Sequence, residues 1–428
     1  MNFAEKYLKN PIPKQPGYIQ EVPALRGSST GLFLSNLTQE AGKPILLVTP
    51  DIETSTRLEN ELNFFLNRSS HYPILVFPEW ETLPYDHFSP HPDIISERLK
   101  TLLQLTSLQR GIFIVTANAL MNRIMPKSFV LGQSFIMKEG DVLQLDGFRN
   151  RLTTSGYRFV DQVFDHGEFS IRGSIVDVYP MGFDLPIRIE LLDEDIDTIR
   201  TFDPDTQRSI EKISEINLLP AHEFPLTDEA ITLFRQNWRS QFKPQSIDSD
   251  IYQNISQGMT ASGIEYYLPL FFEKTESVLD YVSQNSLVIR LNDLNQSIDN
   301  ALLEIKERYD QLSHDIYKPI LTPAQTFLTK EEFFQKIKQW PQLQIQIESI
   351  TKESLDISID HHAQNPFLKL QTFVQNSQAK ILFVSESLGR RESLLDLLQK
   401  ANIKPKILNQ WSEFINHDEP LTITIAPI

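Results

Sequence analysis

The sequence predicts an α/β protein: a parallel-sheet domain interrupted by a small β-rich α+β unit and followed by a further small α/β domain. Two patterns point to it. Short, apolar, β-branched runs at Pro44–Thr49, Ile74–Phe77 and Gly111–Thr116 alternate with helix-like stretches near 54–66 and 94–108, the pattern of a parallel sheet covered on both faces. From about 129 to 219 the texture changes to short alternating strands punctuated by glycine, which marks a separate β-rich unit. The length of 428 residues, at roughly 150 per domain, accommodates about three domains.

The elements follow in order. A Pro-rich lead, 11–23, precedes the loop Gly27-Ser28-Ser29-Thr30-Gly31-Leu32 and a helical segment. The three buried strands and their helices complete a first segment, 1–127. The unit at 128–219 places one helix near 146–154 and a turn at Pro180-Met181-Gly182. A second segment of the parallel-sheet domain, 220–340, contains Ser286-Leu287-Val288-Ile289-Arg290 and a polar helical stretch at 292–321 that reads as a surface helix or connector. The last unit, 341–428, is assigned the runs at 343–347, 379–384 and 421–428 and a helix at 388–400. Its end on an apolar strand reads as part of a longer chain.

Composition excludes several classes. The formal net charge of -16 disfavours broad electrostatic binding to nucleic acid or anionic membranes. With no cysteine, disulfides, thiol catalysis and Cys-ligated metal are ruled out. No window approaches the ~18–20 apolar residues of a membrane span, so a cytoplasmic protein without membrane contact is expected.

The catalytic patterns fail on spacing. A phosphate loop needs G-x-x-x-x-G-K-[ST]; here the glycines are too close and Leu32 stands where the lysine would follow. The loop reads as a structural strand-to-helix turn, with weak anion attraction at the helix end as the alternative. His361 and His362 are adjacent, and His87 and His91 are interrupted by proline, so neither pair suits a helical metal site. Asp193, Glu194, Asp195 and Asp197 read as a solvated turn. Neither catalytic nor cofactor-binding nor metal-ligating residues are expected.

The window 167–208 carries more information. Arg172, Arg188, Arg200 and Arg208 sit among ten carboxylates, which fits either charge pairing on a wet sheet face or a protein-binding face built on arginine.

The run His166-Gly167-Glu168-Phe169-Ser170-Ile171-Arg172-Gly173-Ser174-Ile175-Val176-Asp177-Val178-Tyr179-Pro180-Met181-Gly182, followed by Pro186-Ile187-Arg188-Ile189-Glu190 and Phe202-Asp203-Pro204-Asp205, resembles the UvrA-interaction domain shared by UvrB and the bacterial transcription-repair coupling factors. Trp80-Glu81-Thr82-Leu83-Pro84-Tyr85-Asp86, Leu218-Leu219-Pro220-Ala221-His222-Glu223-Phe224 and Gly263-Ile264-Glu265-Tyr266-Tyr267-Leu268-Pro269 are similar to the coupling factors in particular. These blocks cover most of 20–275, and weaker similarity continues to the end. The resemblance implies a degenerate helicase-like, RecA-like domain with an inserted UvrA-interaction domain. UvrB's intact phosphate loop and long hairpin after the counterpart of Tyr85 have no equivalent here. The family's docking residues map onto Arg172, Arg188 and Leu192, the last replacing the usual aromatic. The implied function is recruitment of UvrA, and so of excision repair, to stalled RNA polymerase, with no catalysis by this region. The polymerase-binding domain, the DNA-translocating motor with its ATP and magnesium, and a carboxy-terminal domain that masks the docking face are family features not recognisable in these residues. Two rivals remain: residual nucleotide binding of the UvrB type, and direct DNA contact through dispersed cations such as Arg98, Lys100 and Arg110.

Overall fold

The computed structural model describes residues 11–67, 71–348, 357–360 and 362–426. In chain order the first strands are β1 (Ile19–Arg26), β2 (Pro44–Thr49), β3 (Ile74–Phe77) and β4 (Gly111–Thr116). The inserted unit contains β6 (Phe135–Lys138), β7 (Arg158–Phe159), β8 (Glu168–Arg172), β9 (Ile175–Val178), β10 (Ile187–Leu192), β11 (Asp195–Phe202), β12 (Ser209–Ile213) and β13 (Glu215–Leu218), with the two-residue strand β5 (Arg123–Ile124) before it. After it come β14 (Glu276–Ser277), β15 (Leu287–Leu291) and β16 (Gln342–Glu348), then β17 (Ile381–Ser385), β18 (Lys406–Ile407) and β19 (Leu421–Ile425).

The main sheet is parallel throughout, in the order β1-β16-β15-β2-β4-β3. Every residue of β2, β4 and β15 is buried, because helices cover both faces. The helices Ser29–Ala41 and Ile52–Phe65 pack Leu34, Leu37, Leu58 and Leu62 against Ile45, Leu47, Ile112 and Ile114. On the opposite face Leu99 and Leu102 of the helix Pro92–Ser107 share a core with Leu46, Val48, Phe113 and Val115. The helices begin where side chains satisfy free amides: Asp51 accepts from Thr54 N at 2.7 Å.

Two sequence readings change. The sequence places the run at 343–347 in the last unit, with a boundary at 341, but β16 lies between β1 and β15 and so belongs to the first sheet. Leu343 and Ile345 are its buried residues on one face; the alternating run marks a strand, and which sheet it joins is set by pairing with segments more than 50 and 300 residues away. The polar stretch at 292–321 contains the helix Leu294–Leu312, which buries Leu294, Ile298, Ala301 and Ile305 against the body. It is amphipathic, an integral layer with one wet face.

The insert is a six-stranded sheet, β12-β11-β10-β9-β8-β7, antiparallel except for β7 with β8. Phe169, Val176, Ile187 and Ile189 belong to the same buried cluster as the main domain's Leu99 and Phe113, so the insert has a fixed seat. The third unit is a three-stranded parallel sheet, β17-β19-β18, over a small core of Leu370, Leu398, Ala401, Ile403 and Ile423. Its Trp411 meets Phe65 edge-on at 4.9 Å between ring centroids.

Candidate docking face

Strand β10 alternates cleanly: Ile187, Ile189 and Leu191 are buried, and Arg188, Glu190 and Leu192 point to the other face. Its neighbour β9 sets Asp177 directly opposite Arg188, and Asp177 in turn faces Ser170 of β8. Arg172 pairs with Ile175 across the turn at Gly173, whose φ of 63° suits glycine. Arg172 therefore lies diagonal to Asp177 on the same face.

Asp177 joins the two arginines. Its side chain is 1% exposed. Arg188 donates from Nε to Oδ1 at 2.7 Å and from Nη2 to Oδ2 at 2.9 Å, and Arg172 donates to Oδ2 from the other side. Arg188 also donates from Nη1 to the Gln207 carbonyl at 3.2 Å and lies 4.7 Å over the buried Phe202 ring. Hydrogen bonding to Asp177 is the main reason its guanidinium holds its proton more tightly than usual.

The three residues mapped from sequence thus share one face but differ in availability. Arg172 is half exposed and Leu192 is 68% exposed, so both can meet a partner. Arg188 has only 15% of its side chain exposed and its donors are engaged internally; it orients the face. Sequence reading missed Asp177, which stood as one of ten carboxylates. The signal was parity: a two-residue turn after Arg172 pairs residues whose numbers sum to 347, which puts 170 opposite 177.

The opening loop is occupied from within. Gly27 and Ser28 turn β1 into the helix Ser29–Ala41, and the free amide of Gly31 donates to Oε2 of Glu61 at 3.0 Å. Glu61 is buried and paired with Arg57 at 2.6 Å. A Cβ at Gly31 would come within 2.5 Å of the Glu61 Cβ, so the glycine is required by this close approach. An internal carboxylate thus takes a helix-end amide of the kind that holds phosphate in nucleotide-binding loops.

The DNA rival loses its leading residue. Arg98 is fully buried, with Nε 2.7 Å from Oε1 of Glu223. Its guanidinium lies over Phe77 and Trp80 at 4.2 and 4.8 Å, so it cannot reach a phosphate. Lys100 pairs with Glu97 at 3.1 Å and Asp184 at 3.5 Å. Among the histidines, His91 accepts from Asp93 N at the start of the helix Pro92–Ser107; His361 lies outside the described residues.

Between insert and body is a cavity of about 600 Å³ lined by His166, His222, Phe224 and Glu265, among others. Burial pushes Glu265 up from 4.5 to about 7, against the opposing hydrogen bond from Ser89, and pushes His222 down to about 4. A raised carboxyl pKa means the neutral form is favoured in the fold. Its stabilising contribution is complete below about 4.5 and is lost as pH rises through about 7. Glu265→Gln is therefore expected to melt higher than wild type at pH 8 and to converge with it near pH 4.5, as thermal melts across that range would show.

The chain thus combines a parallel α/β domain, whose opening loop has its Gly31 amide held by Glu61, with a β-rich insert that presents Arg172 and Leu192 on one face. The model of the UvrB interaction domain matches residues 135–224, and that of the MFD D3 domain matches 373–428. The chain belongs to the transcription-repair-coupling factor family. It is 36% identical over 426 residues to the transcription-repair-coupling factor of Escherichia coli K12, covering 97% of this chain and 37% of that protein. The Haemophilus influenzae factor is 35% identical, with 96% and 37% covered, and the Bacillus subtilis factor 31% identical, with 63% and 24% covered. The chain thus spans little more than a third of the length of the first two. Among the described residues no helix is long and apolar enough to cross a membrane.

Proposed function

We propose that this chain is a docking platform that recruits UvrA, and through it nucleotide excision repair, to RNA polymerase stalled at DNA damage. The observation that carries this is the Asp177-braced face, with Arg172 at the end of β8 and Leu192 at the end of β10 both open to solvent on a sheet whose other face is packed into the core. Braced arginine loses less conformational freedom on binding than a free one, and its planar fork suits a carboxylate or carbonyl pair. Docking by surface complementarity needs no chemistry from this region, and the filling of the Gly31 amide by Glu61 supports a platform without nucleotide. In the intact protein, contacts with polymerase and duplex DNA, ATP turnover and masking of the face belong to other regions.

Arg172→Ala is expected to weaken UvrA binding by about 2 kcal/mol, with little change in stability because Arg172 is half exposed. Calorimetric titration of UvrA into wild type and variant measures this. Unchanged affinity in a folded variant would reject the site.

A further inference from the structure

The docking face continues beyond Leu192. Leu192 pairs with Asp195 across the turn Asp193-Glu194, and Asp195 bridges on its other side to Val142. Directly opposed residues project to the same side of a sheet, so Leu192, Asp195 and Val142 form one row. Main-chain bonds fix that row: Gly140 N to Ile196 O at 2.8 Å, Ile196 N to Asp141 O at 2.9 Å and Leu143 N to Glu194 O at 2.7 Å.

Val142 is 65% exposed and Ile136 is 58% exposed. The two line one concavity of about 570 Å³ whose wall also includes Leu143, Phe148, Arg151 and Ile196. The Arg151 guanidinium lies 3.5 Å over the Phe135 ring at its edge, a rigid cation and aromatic pairing of the kind used at binding hot spots. Single exposed aliphatic residues need no explanation, but Val142 and Ile136 share the rim of one hollow, and Val142 stands in the same row as Leu192, separated from it by the exposed Asp195. Leu192 supplies less contact area there than an aromatic would.

We propose that Val142 and Ile136 form a second, apolar anchor for the same partner. It receives an aliphatic or aromatic side chain of UvrA while Arg172 engages an acidic group. The exposed Asp193, Glu194 and Asp195 between the two anchors call for a basic side chain on the partner at that point. This inference rests on the reading of the Arg172 face as the UvrA-docking surface.

The test is calorimetric titration of UvrA into wild type, Val142→Asp, Ile136→Ser, Arg172→Ala and Leu303→Asp, with thermal melts to establish folding. Leu303 is 56% exposed on the helix Leu294–Leu312 and serves as the distant control. The expected result is at least a tenfold loss for Val142→Asp, a smaller loss for Ile136→Ser and none for Leu303→Asp. If Val142→Asp fails to fold, Ile136→Ser decides alone. Wild-type affinity in folded Val142→Asp and Ile136→Ser, with a loss in Arg172→Ala, overturns the second anchor and leaves the docking reading standing. No binding by wild type overturns both. Self-association of wild type in ultracentrifugation that Val142→Asp abolishes, with UvrA binding intact, would assign the strip to a second copy and overturn the proposal.

Discussion

Glu223→Ala is expected to remove about 3–5 kcal/mol of folding stability. The carboxylate is 1% exposed and does two jobs: Oε1 accepts from Arg98 Nε at 2.7 Å, and Oε2 accepts from Trp80 Nε1 at 3.1 Å. Arg98 keeps a bond from Nη1 to the Pro78 carbonyl at 2.8 Å and its contacts with Phe77 and Trp80, but these do not offset a buried charge left without a counter-ion. The pair also ties the chain leaving the insert to the helix Pro92–Ser107, so its loss loosens the insert's seat. Urea melts of Glu223→Ala against an Arg98→Met, Glu223→Leu double variant measure both parts. The double variant is expected to recover most of the loss, since apolar replacement of a whole buried pair is often neutral. A loss under about 1 kcal/mol in the single variant would show that the pair relaxes or is hydrated.

Asp177→Ala is expected to separate stability from docking in the opposite way to Arg172→Ala. Removing the buried carboxylate strands Arg188, which has 15% of its side chain in water, at a cost of roughly 3 kcal/mol in stability. Arg172 is then unbraced, and UvrA affinity should fall about as far as in Arg172→Ala, by about 2 kcal/mol. Asp177→Asn keeps the shape and one acceptor but loses the charge, so it should lie between. Paired urea melts and UvrA titrations decide the matter. Affinity unchanged in a folded Asp177→Asn would mean that the carboxylate's charge does not set the geometry of the face.

The sequence made the strands most legible where burial on both faces leaves no alternation to misread. The runs at Pro44–Thr49, Gly111–Thr116 and Leu287–Leu291 are apolar throughout because helices cover both sides. Legibility failed for β1, where only Gln20, Val22 and Leu25 are buried, and for the sheet that β16 joins: the run at 343–347 reads as a strand, but its pairing with β1 and β15 depends on contacts far apart in sequence. These two strands close one side of the sheet, with β1 at its edge. At the candidate site, family motif matching brought out Arg172, Arg188 and Leu192, but residue type alone could not say that one arginine faces out and the other in. That difference is set by Asp177, whose position depends on strand pairing. Glu61 was unreadable for a similar reason: its contact with Gly31 spans 30 residues and two helices.

The place of β1 at the sheet edge bears on how the chain is made. Ile19 pairs with Gln342 and Arg26 with Glu348, and among the described residues β16 is the only neighbour of β1 in the main sheet. At roughly 5–20 residues per second of synthesis, the partner strand emerges on the order of half a minute after β1. The insert, whose strands pair locally, can fold in that interval, while β1 waits as an unpaired strand open to wrong neighbours. Any version of the chain cut before residue 342 would leave that strand without its partner, however well the docking face itself had formed.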